Sequence, residues 1–120
     1  MKIKNRIMKK ILFFTTILIV LSSCAKDVTH KYAYEVTGTA NNYDLTLEAA
    51  PSGTAQYTNV GSGWQYTWTQ VNDNPRFLYI SAQNQNGSGT VIVKIIKDGT
   101  VIATNTSSGA YVIATVSGTY

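Results

Sequence analysis

The sequence predicts an all-β domain, and three observations carry that prediction. From Lys31 onward Thr, Val, Ile and Tyr are abundant, while Gly, Asn and Ser fall in clusters, the composition of short strands separated by turns. Within each run, large apolar residues recur at every second position, the period of a half-buried strand. No window longer than about ten residues shows the 3.6-residue apolar period of a helix.

Taken in order, Tyr32–Gly38 alternates Tyr32, Tyr34 and Val36 with Ala33, Glu35 and Thr37. Asn41-Asn42 interrupts, and Tyr43, Leu45, Leu47 and Ala49 then line one face, with Asp44, Thr46 and Glu48 on the other. Pro51-Ser52-Gly53 is turn chemistry. Ala55–Val60 is a weaker strand ended by Gly61-Ser62-Gly63. Trp64, Tyr66 and Trp68 alternate with Gln65, Thr67 and Thr69, placing three large rings on one face. After the 72–75 loop, Arg76–Gln83 carries Leu78, Ile80 and Ala82 on one side, and 84–89 (NQNGSG) is a loop. Thr90–Lys97 sends Val91, Val93 and Ile95 inward, although Ile92 and Ile96 make its other face apolar too. Asp98-Gly99 is the strongest hairpin signal, because a type I′ turn needs φ > 0 at both central positions. Val101–Thr106 returns, 107–109 turns, and Ala110–Ser117 closes the domain. About eight strands at such spacing favour a sandwich or small barrel.

The N-terminal quarter reads differently. The formal net charge is +4, with Lys2, Lys4, Arg6, Lys9 and Lys10 all preceding an eleven-residue apolar stretch, Ile11–Leu21. From Cys24 onward five cations face six carboxylates, so that part carries −1, and a polyanion partner such as nucleic acid loses its support. Eleven apolar residues fall short of the roughly 20 that span a bilayer but suit the core of a helical signal peptide. An ordinary secretory signal and an uncleaved anchor are the competing readings. What decides between them is Leu21-Ser22-Ser23-Cys24: small residues let extended backbone enter a peptidase groove, and the cysteine offers a thiol for acylation. This tetrapeptide resembles the bacterial lipobox.

That resemblance implies a partition into residues 1–23 as lipoprotein signal peptide, 24–31 as lipidated cysteine and polar tether, and 32–120 as the β domain. It implies cleavage before Cys24 and two acyl chains plus an amide-linked third on it, more than the single chain that binds membranes only marginally. Cys24 is also the chain's single cysteine, and acylation removes the risk of intermolecular pairing by a leftover thiol. Ala25-Lys26 lacks the aspartate that retains enterobacterial lipoproteins at the inner membrane, and Lys26-Asp27 resembles surface-export signals of Bacteroidota lipoproteins. Both point to the outer membrane.

Chemistry-bearing residues are sparse. His30, the only histidine, reads as a solvated tether residue. With no second His and no free Cys, no zinc or transition-metal site is expected, and no cofactor. Asp44 and Glu48 share a strand face, but four residues along a strand is ~13 Å, beyond the ~5–10 Å of paired acid–base carboxylates. Asn72, Asp73 and Asn74 lack the calcium-loop register and read as a turn before Pro75. No catalytic residue is assigned. The Trp64, Tyr66 and Trp68 row is the candidate contact for a ligand or partner if exposed; because its opposite face is mainly Gln and Thr, burial against the second sheet is favoured.

Four blocks, Tyr34–Ala40 (YEVTGTA), Ser81–Asn84 (SAQN), Val93–Gly99 (VKIIKDG) and Ser108–Gly118 (SGAYVIATVSG), together with Trp64, resemble small bacterial envelope proteins of the MmpS type and short Bacteroidota lipoproteins sharing that domain. The resemblance spans Tyr34 to Gly118. It implies a single immunoglobulin-like β-sandwich of about 7–8 antiparallel strands outside the cytoplasmic membrane. It also implies a non-catalytic binding or accessory module for an envelope protein complex or transporter. The mycobacterial proteins carry a transmembrane helix where this chain has the lipobox, and a C-terminal cysteine pair that is missing here. The alternative function is a glycan- or lipid-binding module using the aromatic residues.

Overall fold

In the computed structural model, residues 27–72 and 75–120 are described. They form eight strands and no helix: β1 Thr29–Thr37, β2 Tyr43–Glu48, β3 Thr54–Val60, β4 Trp64–Val71, β5 Phe77–Asn84, β6 Thr90–Lys97, β7 Thr100–Ser108 and β8 Ile113–Thr119. Two four-stranded sheets result, ordered β4-β1-β6-β7 and β3-β2-β5-β8, and the pairings are antiparallel. The predicted fold class is therefore observed, a β-sandwich with its strand number at the upper end. Its strands are shared between the sheets differently from the ABED/CFG partition of immunoglobulin domains. Here β2–β3 and β6–β7 are hairpins, β4 and β8 each cross to the other sheet, and β5 returns beside β2 while β1 lies beside β6.

Period two explains the core. Tyr34 and Val36 from β1, Tyr43, Leu45 and Leu47 from β2, Leu78, Ile80 and Ala82 from β5, and Val91, Val93 and Ile95 from β6 are all at most 2% exposed. These come from the two central strands of each sheet, where an inward side chain meets neighbours on both sides. The edge strands β3, β4, β7 and β8 contribute mainly half-buried residues. Asp98 (φ 50°) and Gly99 (φ 80°) both take the left-handed conformation the β6–β7 turn requires. Gly38 has a different reason: a Cβ there would lie 2.1 Å from the Thr90 carbonyl oxygen, so the β1–β2 turn can approach β6 only without a side chain.

Most boundaries shifted by one or two residues, with β7 running on through Ser107 and Ser108 where a turn was expected, and two moved by three. β1 begins at Thr29 rather than 32, so Thr29, His30 and Lys31, expected in the tether, pair with Val71, Gln70 and Thr69. β8 begins at Ile113 rather than 110, because Tyr111 adopts a left-handed φ of 54° that turns the chain before the ladder with β5 starts.

The register defines two ends. At one lie the start of β1, the end of β4, the β2–β3, β4–β5 and β6–β7 connections and Tyr120, whose backbone exchanges hydrogen bonds with that of Arg76. Since Cys24 precedes β1, this is the tethered end. At the other lie the β1–β2, β3–β4, β5–β6 and β7–β8 connections. Nine residues of β1 separate them by about 30 Å.

Candidate functional site

The lipobox residues Leu21, Ser22, Ser23 and Cys24 lie outside the described residues, as do Asp73 and Asn74, so the turn expected there is not seen directly. Asn72, at the edge of that loop, has a left-handed φ of 63° and donates its N–H to the Val28 carbonyl.

The aromatic row is positioned by the β4 edge. Trp64, Tyr66 and Trp68 face inward and are half-buried, packed against the core, while Gln65, Thr67 and Thr69 are exposed. Their neighbours are rings: Trp68 stacks on Tyr32 with centroids 5.4 Å apart and tilts against Tyr34 at 4.8 Å. Trp64 meets Tyr57 at 4.9 Å. Five close ring pairs of this kind, each stabilising by about 0.5–1.5 kcal/mol beyond area burial, seal one edge of a sandwich that lacks a disulfide. The row thus packs inward, as the polar composition of its opposite face favoured.

At Trp68 the row borders a cleft. The Arg76 guanidinium lies 5.8 Å from the Trp68 ring centroid and donates through Nη2 to the Ala49 carbonyl at 2.6 Å. Between β4, the 50–51 turn with its cis Ala50-Pro51 bond, and Pro75-Arg76, an open cleft of about 680 Å³ forms. The Trp68 Nε1 is shielded from solvent and has no acceptor among the described residues. The sequence placed Arg76 at a strand start and gave no sign of this contact, because its partners Ala49 and Trp68 are 27 and 8 positions away.

The hydroxyls of the two fully buried tyrosines, Tyr34 and Tyr43, are satisfied. Tyr34 Oη donates to the Glu48 carbonyl at 3.0 Å and accepts from the Tyr79 N–H at 3.3 Å, and burial pushes its pKa up to about 12. Tyr43 Oη donates to the Thr90 carbonyl at 2.9 Å. These bonds all cross between the two sheets, so they fix how the sheets register.

The ionisable groups are dispersed into structural roles. His30 is held rather than solvated: its Nδ1 lies 2.6 Å from Asp98 Oδ2, and Asp98 Oδ1 accepts the Lys31 N–H at 2.8 Å. The sequence could not show this, because the partner is 68 positions away on the β6–β7 turn. Glu35 accepts from Gln65 at 2.6 Å and from Lys94 at 3.1 Å. Asp44 accepts the Asn59 N–H and Glu48 the Gly53 N–H. No group of three or more His, Cys, Asp or Glu that could hold a metal occurs among the described residues.

These contacts set the acid response. The hydrogen bond from His30, then that from the Lys31 N–H, lowers the Asp98 pKa below its ordinary value. The Gln65 hydrogen bond, then Lys94, lowers that of Glu35. A carboxylate whose folded pKa is depressed contributes stability that is present above its unfolded pKa and lost as pH falls through the folded one. Asp98→Asn and Glu35→Gln are each expected to lower stability at neutral pH and to flatten its decline below about pH 4, the usual carboxylate range. Denaturant midpoints measured across acid pH check this; an unchanged acid limb in the double variant contradicts it.

Among known proteins, the profile of the prokaryotic membrane lipoprotein lipid attachment site matches residues 8–25. That span covers Lys9 and Lys10 at the end of the positive segment, the apolar stretch and Cys24, and it supports reading the chain as a bacterial lipoprotein anchored to a membrane by lipid. No curated protein matches the chain. No described helix is long and apolar enough to cross a membrane.

Proposed function

We propose that the chain is a non-catalytic binding module, an accessory lipoprotein that presents its distal end to an envelope protein partner. The observation that carries this reading is Tyr111. It is 59% exposed, yet its backbone is pinned in a left-handed conformation. Its N–H donates to the Asn86 carbonyl at 3.2 Å, and its own carbonyl accepts from Gln83 Nε2 at 3.2 Å. A bulky residue at positive φ is uncommon and costs of order 1–3 kcal/mol, so this fold holds an aromatic ring in water at some expense. Two positions on, Ile113 is 54% exposed. An exposed tyrosine on a fixed backbone, beside an apolar residue, is the composition of an interface anchor.

Beneath them the end is stiff. Asn84 is fully buried, its amide donating to the Ser88 and Gly109 carbonyls at 2.9 Å each while its Oδ1 accepts the Asn86 N–H. The non-catalytic part rests on the dispersal of carboxylates and histidine into ladder and turn contacts. An outer-membrane location is part of the same reading, supported by the residues after Cys24.

Pull-down of the lipoprotein from detergent-solubilised membranes is expected to recover a stable partner. The Tyr111→Ser/Ile113→Ser double variant is expected to lose it by at least about tenfold, the loss of one modest hot spot. Equal recovery by the variant, or background proteins alone across growth conditions, contradicts the reading.

A further inference from the structure

The six large apolar side chains that are exposed among the described residues are not evenly spread. Tyr111 and Ile113 occupy the distal end. Val28, Val71, Phe77 and Val101, with 55, 50, 54 and 47% of their surface open, all lie at the tethered end. The register places them there: Val28 is one position beyond the Thr29–Val71 pair, Phe77 opens β5 opposite Thr119, and Val101 follows the β6–β7 turn opposite Ile96.

What covers this rim is indicated by the chain that leads to it. Cys24 is four positions before Val28, and a fully extended chain of that length reaches at most ~14 Å. Lipid on Cys24 therefore holds Val28, and the rim with it, no more than ~14 Å from the point of lipid attachment. We propose that the tethered end docks on the bilayer surface, its four apolar side chains entering the interfacial zone, so that lipid and rim form a two-point attachment. The domain then stands upright and carries Tyr111 about 30 Å above the membrane.

Charge shapes the expectation. The described groups at this end nearly cancel: Lys31, Arg76 and Lys97 against Asp27, Glu48 and Asp98. Docking is thus apolar in origin and insensitive to salt and to anionic lipid, unlike a polybasic surface, where each cation contributes and salt screens it. This inference rests on the lipid anchor and is independent of the partner at the distal end.

The test uses the mature lipoprotein reconstituted into vesicles of phosphatidylethanolamine and phosphatidylglycerol whose acyl chains carry bromine near the headgroup. Trp68 and Trp64 are four positions apart on β4, ~13 Å along the strand, with Trp68 nearer the tether. The Trp64→Phe protein, which retains Trp68, is expected to be quenched more strongly than the Trp68→Phe protein. Val71→Ser/Phe77→Ser, which alters only exposed positions, is expected to reduce the docked population roughly tenfold by removing the transfer of two half-exposed apolar side chains. In the otherwise unaltered protein it should lower Trp quenching while the sandwich stays folded at the temperature of the assay, as read by circular dichroism. Equal quenching of the two tryptophans, no response to V71S/F77S, or quenching that grows with phosphatidylglycerol and collapses in high salt would each overturn the proposal. A failed pull-down leaves it standing.

Discussion

Cys24→Ala is expected to abolish acyl labelling and to leave the chain at its full 120 residues, instead of the shortened form that begins at residue 24. The thiol is the only nucleophile of its kind in the chain, so no other side chain can take the diacylglyceryl group. The energetic consequence follows from chain number. A single acyl chain binds a bilayer with an association constant of only about 10⁴ M⁻¹, while each buried methylene contributes about 0.8 kcal/mol, so two or three chains hold effectively permanently. Without them the domain has its apolar rim alone. Metabolic labelling with palmitate, read against chain mass on the same gel, checks this; a variant that still takes label shows that the lipid is elsewhere.

Tyr34→Ala is expected to be the most damaging change within the sandwich. The side chain is fully buried, touches the rings of Tyr66 and Trp68, and joins the sheets through Glu48 and Tyr79. Removing a buried aromatic ring costs about 3–5 kcal/mol, and the two backbone groups lose their partner as well. Domains of this size are stable by roughly 5–15 kcal/mol, so most of the margin is at risk. At about 4–8 °C per kcal/mol, thermal unfolding should move down by ~15–30 °C. Tyr34→Phe keeps the ring and forfeits only the hydroxyl, for about 1–3 kcal/mol. If alanine costs no more than phenylalanine, the ring is not the keystone described here.

How much of this could be read in the sequence depends on the range of the interaction. Each strand was visible, as were the inward faces of the central ones, because alternation is a local property: Val91, Val93 and Ile95 are at 0% exposure as expected. The Asp98-Gly99 turn was visible because its backbone geometry demands those residues. Strand order was not, since period two says which face is buried and nothing about which strand lies alongside. The same limit hid the His30–Asp98 and Arg76–Trp68 contacts, each made across strands. For the aromatic row, the sequence favoured burial; the edge position of β4 leaves that burial partial. Tyr111 gave no signal at all: it sits in a run that reads as strand, and only its fold neighbours Gln83 and Asn86 hold it left-handed.

Intact-mass spectrometry of the protein extracted from its own membranes tests the lipid anchor most directly. The expected species begins at Cys24, lacks residues 1–23, and carries the mass of a diacylglyceryl group with an amide-linked acyl chain. A chain beginning at Met1, or one beginning near residue 24 with an unmodified thiol, would contradict the account.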